Sequence, residues 1–312
     1  MPAFWPLREA ENKQPFASEG HSRYNWSGQR EKRGGPYGTH RTNGGRIMRH
    51  GFLLDLDGTL YHGDRPIPYA AEFIRWLREK GYPFLYVTNN SSRTPEQVAA
   101  HLIKTGIEAK PEEVLTSSQA AVMYLQETGA RNGRVLYIGE EGLRTALKDG
   151  GFEPVTEDAP VGTVAAVVQG IDRAFHYGKL LAAVRYIRGG APYILTNPDH
   201  LLPWNGGLMP GAGSIAASIE RASETPPIVI GKPSPIIMRY AVAKLGLAPG
   251  EIWTVGDNLN TDIRGGADAG CRTALVLTGL ANAANVDEQM ARTGVRPERI
   301  CTHLMELAES LG

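Results

Sequence analysis

Two aspartates separated by one residue, Asp55 and Asp57, carry the strongest chemical signal in the chain. They close the apolar run Phe52-Leu-Leu-Asp-Leu-Asp-Gly-Thr-Leu60. Such a run, cut off by Gly58, reads as a buried parallel strand ending in a loop. Carboxylates at i and i+2 of an extended chain point to the same side. Like charges that close repel unless a cation or a shared proton relieves them. Phe52, Leu53, Leu54 and Leu56 mark the segment as core, which argues against a pair of surface turn residues. The pair therefore suggests a nucleophile and a general acid beside a metal ion.

Three further segments have the same form. Phe84-Leu-Tyr-Val-Thr-Asn-Asn90 ends in hydroxyl and amide groups, and Ile228-Val-Ile-Gly-Lys-Pro-Ser234 carries Lys232. Ile252-Trp-Thr-Val-Gly-Asp-Asn-Leu-Asn-Thr-Asp262 ends at Asp257, with Asp262 a turn later. Open parallel sheets bind ligands at the carboxyl ends of their strands. Four strands are thus expected to deliver Asp55, Asp57, Thr88, Asn89, Lys232, Asp257 and Asp262 to one edge.

In that arrangement the chain resembles the haloacid dehalogenase-superfamily phosphatases. Asp55-Leu-Asp-Gly-Thr matches the first motif of that family, Thr88 the second, Lys232 the third, and Gly256-Asp-x-x-x-x-Asp262 the fourth. All four in order, each after an apolar run, form a specific signature. A closer resemblance is to the NagD-like, para-nitrophenylphosphatase-type subfamily. It rests on Val87-Thr-Asn-Asn-Ser91, Thr196-Asn-Pro-Asp199, Leu208-Met-Pro-Gly-Ala-Gly213 and Gly231-Lys-Pro-Ser234. The resemblance implies an α/β fold: a Rossmann-like parallel-sheet core with an inserted α/β cap of the family's second type.

It also implies a mechanism. Asp55 attacks phosphorus as the nucleophile, and Asp57 protonates the leaving alcohol and later deprotonates water. A Mg²⁺ ion suits oxygen ligands; Asp55 and Asp257 would supply carboxylates to it and Asp57 a backbone carbonyl. Thr88, Asn89 and Lys232 would hold phosphate oxygens, the main burden in phosphoryl transfer. Asp262 is expected to orient Lys232 or a metal-bound water rather than to bind metal directly. Within the cap, Asp172-Arg-Ala-Phe-His-Tyr177 falls where a specificity loop would overhang the site. Either Arg173 or His176 meets a polar leaving group there, or both are solvated loop residues with Asp172 as a local partner. Asn197-Pro-Asp199 reads first as a tight turn.

The elements that must position these groups follow from periodicity. Ala70, Phe73, Ile74 and Leu77 recur at helical spacing, and Gly81 stops that helix. Thr94-Pro-Glu-Gln97 is a capping box with Pro at the first helical position. Alternating strands and helices imply right-handed crossovers and a parallel sheet. Core sequence is expected over 51–133 and 229–312. Residues 134–228 have a β/α rhythm of their own: strands near Val135–Ile138, Val164–Val168 and Pro192–Thr196, and helices carrying Leu143, Leu180 and Ile215. That is enough for a small separate domain, the cap. The spacing places the last core strand near Thr273–Leu277 and a closing helix over 298–311.

Composition sets outer bounds. At 42% hydrophobic and 21% charged residues, the chain is an ordinary globular protein. Its net charge of zero is unevenly spread: residues 1–50 hold nine Arg/Lys against four Asp/Glu, and the rest holds 24 against 29. The acidic remainder disfavours nucleic acid as a partner. No apolar stretch is long enough to span a bilayer. Cys271 and Cys301 make no disulfide framework, and reduced thiols fit a cytoplasmic protein. Residues 1–50 lack a hydrophobic period and are expected to be a disordered basic extension. They form either an Arg/Gly-containing tail that touches RNA or acidic membranes, or a leader upstream of a true start at Met48, the preferred reading.

These features converge on a Mg²⁺-dependent phosphatase of a small phosphorylated metabolite, such as a sugar phosphate, a nucleoside monophosphate or phosphoglycolate, with homodimerisation through the cap compatible with the resemblance. The competing class is a binding or regulatory protein on a catalytically weak scaffold of the same fold. That class predicts erosion of Asp55, Asp57, Lys232 or Asp257, and all four are present.

Overall fold

The structure, a computed structural model, describes residues 50–130, 133–159, 164–204 and 207–312, the side chains of Pro203 and Trp204 excepted. The expected basic extension and the Met48 start lie outside the described residues.

The apolar runs become strands buried on both faces. Phe52 and Leu54 pack on one side of the sheet with Phe73, Leu77, Leu102 and Leu304. Leu53 packs on the other side with Leu85, Val87, Ala121 and Ile237. The period of two that sends neighbours to opposite faces explains why such strands read as unbroken hydrophobic runs.

Six parallel strands form the larger sheet, in spatial order Arg299–Cys301, Arg272–Val276, Ile252–Gly256, Gly51–Leu54, Phe84–Thr88 and Val114–Thr116. In chain order this is 6-5-4-1-2-3, the doubly wound arrangement. The order reverses between Gly51–Leu54 and Ile252–Gly256, which pair in register from Gly51↔Ile252 to Leu54↔Val255. Such a switch point leaves a crevice beyond the carboxyl ends of its two strands. Asp55 follows one of these strands and Asp257 the other.

A second, five-stranded parallel sheet has the order Ile228–Val229, Tyr193–Leu195, Ala166–Gln169, Arg134–Ile138 and Glu153–Val155. The helices Tyr177–Arg188 and Ala212–Ser223 cover one face through Ala183, Tyr186 and Ile219. Leu143 and Leu147 of helix Glu141–Asp149 cover the other. That second cluster continues into Ala121 and Leu125 of the core helix Ser117–Glu127, so one apolar cluster joins both sheets.

The helix signals act as read. Ala70, Phe73, Ile74 and Leu77 are the buried face of Ala70–Glu79. Thr94 and Gln97 close the capping box of Pro95–Lys104. Two expectations are corrected. The Ile228–Val229 strand, expected to carry Lys232 from the core sheet, is the edge of the second sheet, where it pairs with Ile194 and Leu195. The closing helix begins only at Leu304; Arg299–Cys301 is the sixth core strand. Cys301 turns into the core there, while Arg299 and Ile300 stay exposed. Three residues with one buried side chain are too few to show a period.

Both cysteines are buried and unpaired. Among the described residues, no helix is long and apolar enough to cross a membrane.

Candidate active site

A cavity of about 520 Å³ opens at the switch point, lined by residues at the strand ends of the larger sheet and by residues that follow strands of the second, such as Ile171 and Asn197. Asp55, Asp57, Thr88, Asn89, Lys232, Asp257 and Asp262 all line it, as does Arg173.

Lys232 stands at the centre. Its Nζ donates to Asp55 Oδ1 at 2.5 Å, to Asp262 Oδ1 at 2.7 Å and to the Val87 carbonyl at 3.0 Å. Burial lowers the pKa of this amine, but the carboxylates of Asp262 and Asp55 more than reverse that, so Lys232 stays charged. The chain returning from the second sheet delivers it: the Gly231 amide donates to the Thr196 carbonyl at 2.8 Å. A Cβ on Gly231 would fall 2.6 Å from Asn89 Oδ1, so only glycine lets this turn press so closely on Asn89.

Asp55, Asp257 and Asp262 present carboxylate oxygens within 4.8 Å of one another. Burial, then the Asp262 charge, drives the Asp55 carboxyl well above its ordinary value, with Lys232 pulling the other way. The same two causes push Asp257 up to about 7. Such crowding is what a divalent cation relieves. Asp262 is otherwise engaged: Oδ1 accepts from Lys232, and Oδ2 accepts from the Asn258 amide at 3.1 Å. It sits in a π-helical turn, Leu259–Ile263, that the sequence did not signal. Asp257 Oδ2 accepts from the Leu280 amide at 2.6 Å. Gly58, at φ +87°, passes so close that a Cβ there would lie 2.4 Å from Asp257 Oδ2.

Asp57 is solvent-exposed in the cavity. The surrounding protein still raises its pKa by desolvation, opposed by His62, His101 and Arg93. The Thr88 hydroxyl accepts from the Asn90 amide at 3.0 Å, which leaves its own proton to donate elsewhere.

Asn89 is a junction. Its Nδ2 donates to Asp199 Oδ2 at 3.1 Å and to the Lys232 carbonyl at 3.0 Å. Its carbonyl accepts from Asn197 Nδ2 at 2.9 Å and from the Ser117 hydroxyl at 2.8 Å. Asn197 and Asp199, read from sequence as turn residues, thus tie the second sheet to the strand end at Thr88. The signal that could have found them is the Thr196-Asn-Pro-Asp199 motif; in the structure Asp199 is a half-buried carboxyl whose pKa is raised by burial.

Of the two loop residues expected to meet a leaving group, the structure brings only Arg173 to the cavity. Its guanidinium pairs with both Glu140 oxygens, at 2.8 and 2.7 Å. His176 is absent from the cavity lining and fits the solvated alternative: half exposed, it caps helix Tyr177–Arg188, Nδ1 accepting from the Gly178 amide at 3.1 Å, with Nε2 3.1 Å from Glu157. A ring that caps a helix start is committed to the backbone.

Residues 52–153 match the family model described as haloacid dehalogenase-like hydrolase, and residues 229–307 match a second HAD-hydrolase-like model. The 5'-nucleotidase YutF of Bacillus subtilis is 41% identical over 242 residues, 78% of this chain and 92% of that protein. The chain belongs to the haloacid dehalogenase-like hydrolases. The gap between its two matched segments holds most of the second sheet, the place of the inserted cap. Among solved structures, the p-nitrophenyl phosphatase of Archaeoglobus fulgidus superposes with a TM-score of 0.79 at 32% identity, over 84% of this chain and 99% of that one. The glycerol phosphate phosphatase of Mycobacterium tuberculosis, solved with magnesium, gives 0.75 at 37%, over 83% and 76%.

Proposed function

We propose that this hydrolase is a Mg²⁺-dependent phosphatase of small phosphorylated metabolites that works through an aspartyl-phosphate on Asp55. The observation that carries the reading is the Lys232–Asp55–Asp262 cluster beside Asp257, at the mouth of a doubly wound sheet. The chain is a phosphoric monoester hydrolase, as its relatives' names agree.

The donor set fits a hard cation: carboxylate oxygens, crowded and with raised pKa values. Asp55 and Asp257 would hold it, with the Asp57 backbone carbonyl added by resemblance. When bound, Mg²⁺ neutralises phosphate oxygens and so admits an anionic nucleophile.

The chain's own residues then divide the work. Lys232 pairs with a non-bridging phosphate oxygen and holds Asp55 in line. The Thr88 hydroxyl and the Asn89 segment donate to the remaining oxygens. An oxygen of Asp55 bonds to phosphorus as the bond to the leaving alcohol breaks, and Asp57 passes its proton to that alcohol. Asp57 next takes a proton from a water whose oxygen attacks phosphorus, which releases phosphate and restores Asp55. The raised pKa of Asp57 suits a group that starts each cycle protonated. Residues 134–229 serve as the cap, excluding water over this chemistry. For the homodimer through the cap that the resemblance allows, Tyr177 and Leu181, one turn apart on helix Tyr177–Arg188 and 77% and 50% exposed, offer apolar contact surface.

The test is phosphate release from a panel of phosphomonoesters, with Mg²⁺ and with chelator, for the parent and for Asp55→Asn. Metal-dependent release absent from the variant is expected. Release that survives in Asp55→Asn would overturn the nucleophile assignment.

A further inference from the structure

One loop of the site belongs to none of the four motif segments. Residues 277–280 follow strand Arg272–Val276, the neighbour of Ile252–Gly256, and so reach the same carboxyl edge as Asp55 and Asp257. Within that loop, half-buried Thr278 makes two contacts with the segment that begins at Asp57. Its hydroxyl donates to the Gly58 carbonyl at 2.7 Å, and its own carbonyl lies 2.6 Å from His62 Nε2. A carbonyl only accepts, so Nε2 of His62 carries the proton and donates it.

Asp57 depends on such a hold. Among the described residues no hydrogen bond ties its carboxyl; burial and the charges of His62, His101 and Arg93 are what act on it. A side chain without a tether of its own is aimed by its backbone. The turn after Asp57 is closed by short-range bonds, the Leu60 amide to the Leu56 carbonyl at 2.8 Å and the Gly58 amide to the Tyr61 carbonyl at 2.8 Å. Two other elements hold the segment in place. Helix Pro95–Lys104 holds the tip of the hairpin Tyr61–His62 with Arg65–Pro66, where His101 Nε2 lies 2.8 Å from the Gly63 carbonyl. Thr278, 220 residues along the chain, holds the turn itself at the residue next to Asp57.

The same loop grips the metal side through its backbone. The Leu280 amide donates to Asp257 Oδ2 at 2.6 Å, and the Ala281 amide donates to the Asp257 carbonyl at 3.0 Å. A Cβ on Gly279 would overlap Asp257 Oδ2. Main-chain groups thus meet Asp257, and a side-chain hydroxyl meets the Asp57 turn. The two contacts can be separated by mutation, because removing the Thr278 hydroxyl leaves both amides on Asp257.

We propose that Thr278 is a positioning residue for the general acid: its hydroxyl, together with His62 on its carbonyl, holds the turn that aims Asp57 at the leaving oxygen. The proposal rests on the phosphatase reading of the same site. In that reading Asp57 passes its proton to the leaving oxygen as the bond from that oxygen to phosphorus breaks. An alkoxide leaves poorly without the proton, whereas p-nitrophenolate leaves well without it. Loss of aim therefore separates alkyl from aryl esters, and a damaged fold or a displaced metal slows both.

The test compares kcat/KM, which covers the steps up to departure of the alcohol, for p-nitrophenyl phosphate and for the best alkyl ester of the phosphomonoester panel, with the full chain in Mg²⁺. Thr278→Val keeps the branched shape and removes the donor. It should lower kcat/KM for the alkyl ester about fivefold more than for the aryl ester, the worth of one hydrogen bond. Thr278→Ser, which keeps the hydroxyl, should restore the parent ratio. Asp57→Asn should move the ratio in the same direction and further. The Mg²⁺ concentration for half-maximal activity should be the same in Thr278→Val as in the parent. A ratio unchanged in Thr278→Val but shifted in Asp57→Asn would overturn the proposal and leave the phosphatase intact. So would a raised Mg²⁺ requirement with an unchanged ratio, since Thr278 would then serve Asp257. A ratio unmoved in Asp57→Asn, or no hydrolysis of any phosphomonoester, would instead remove the reading on which the proposal rests.

Discussion

Lys232→Met tests the electrostatics of the site at its centre. The lysine side chain is 4% exposed and holds Asp55 at 15% and Asp262 at 2%. Methionine keeps most of the apolar stem and removes the charge, which leaves two carboxylates facing each other without their cation. Removing one partner from a buried ion pair costs about 3–5 kcal/mol, a large share of the roughly 5–15 kcal/mol that holds a domain together. For a folded body of this size, that loss lowers Tm by about 6–20 °C. The assay is thermal unfolding followed by circular dichroism, in chelator and in Mg²⁺. In chelator the variant should melt lower than the parent by that margin. Added Mg²⁺ should raise Tm more in the variant than in the parent, because it meets more uncompensated negative charge. A variant that melts within about 2 °C of the parent in chelator would refute the reasoning.

Asp57→Asn should lower kcat by about 10²–10⁴-fold. It should leave Tm equal or higher, because a carboxyl whose pKa is raised by folding destabilises the fold when ionised; a lower Tm would mean that Asp57 is structural. Gly58→Ala places a Cβ against Asp257 at a φ of +87°. It should raise the Mg²⁺ concentration needed for half-maximal activity by about tenfold or more, and an unchanged requirement would show that Asp257 tolerates displacement. Far from the site, Arg239 and Tyr240 hold the Glu127 carboxyl down to about 2, from an ordinary 4.5. A depressed carboxylate stabilises the fold above its unfolded pKa and loses that contribution as pH falls toward the folded value. Glu127 is 45% exposed, so Glu127→Gln should cost under about 1 kcal/mol near neutrality. The gap to the parent in urea unfolding should close between about pH 4.5 and 2; a gap independent of pH would contradict this.

The site was legible in the sequence where chemistry and periodicity coincide. Asp55, Thr88 and Asp257 each end a strand buried on both faces, so an apolar run and a polar stop mark them. Lys232 had the same mark but a different origin. Ile228 and Val229 belong to the cap sheet, and a two-residue edge strand looks no different from the tail of a core strand. Partner strands are decided by contacts that local pattern does not encode. His176 read equally as a partner of the leaving group or as a solvated loop residue; that its ring caps a helix depends on the position of the Gly178 amide, which no local pattern gives. Asn197 and Asp199 were hidden because Asn-Pro-Asp is strong turn chemistry in its own right.

The most direct test of the central claim is a mass measurement on the peptide that contains Asp55. Asp57→Asn, mixed with a hydrolysable phosphomonoester and Mg²⁺ and quenched in acid during turnover, should yield that peptide heavier by one phosphoryl group. The added mass should map to Asp55 and be absent when Asp55 is also replaced by Asn. A phosphoryl group on another residue would contradict the account, as would turnover with no phosphorylated peptide at any quench time.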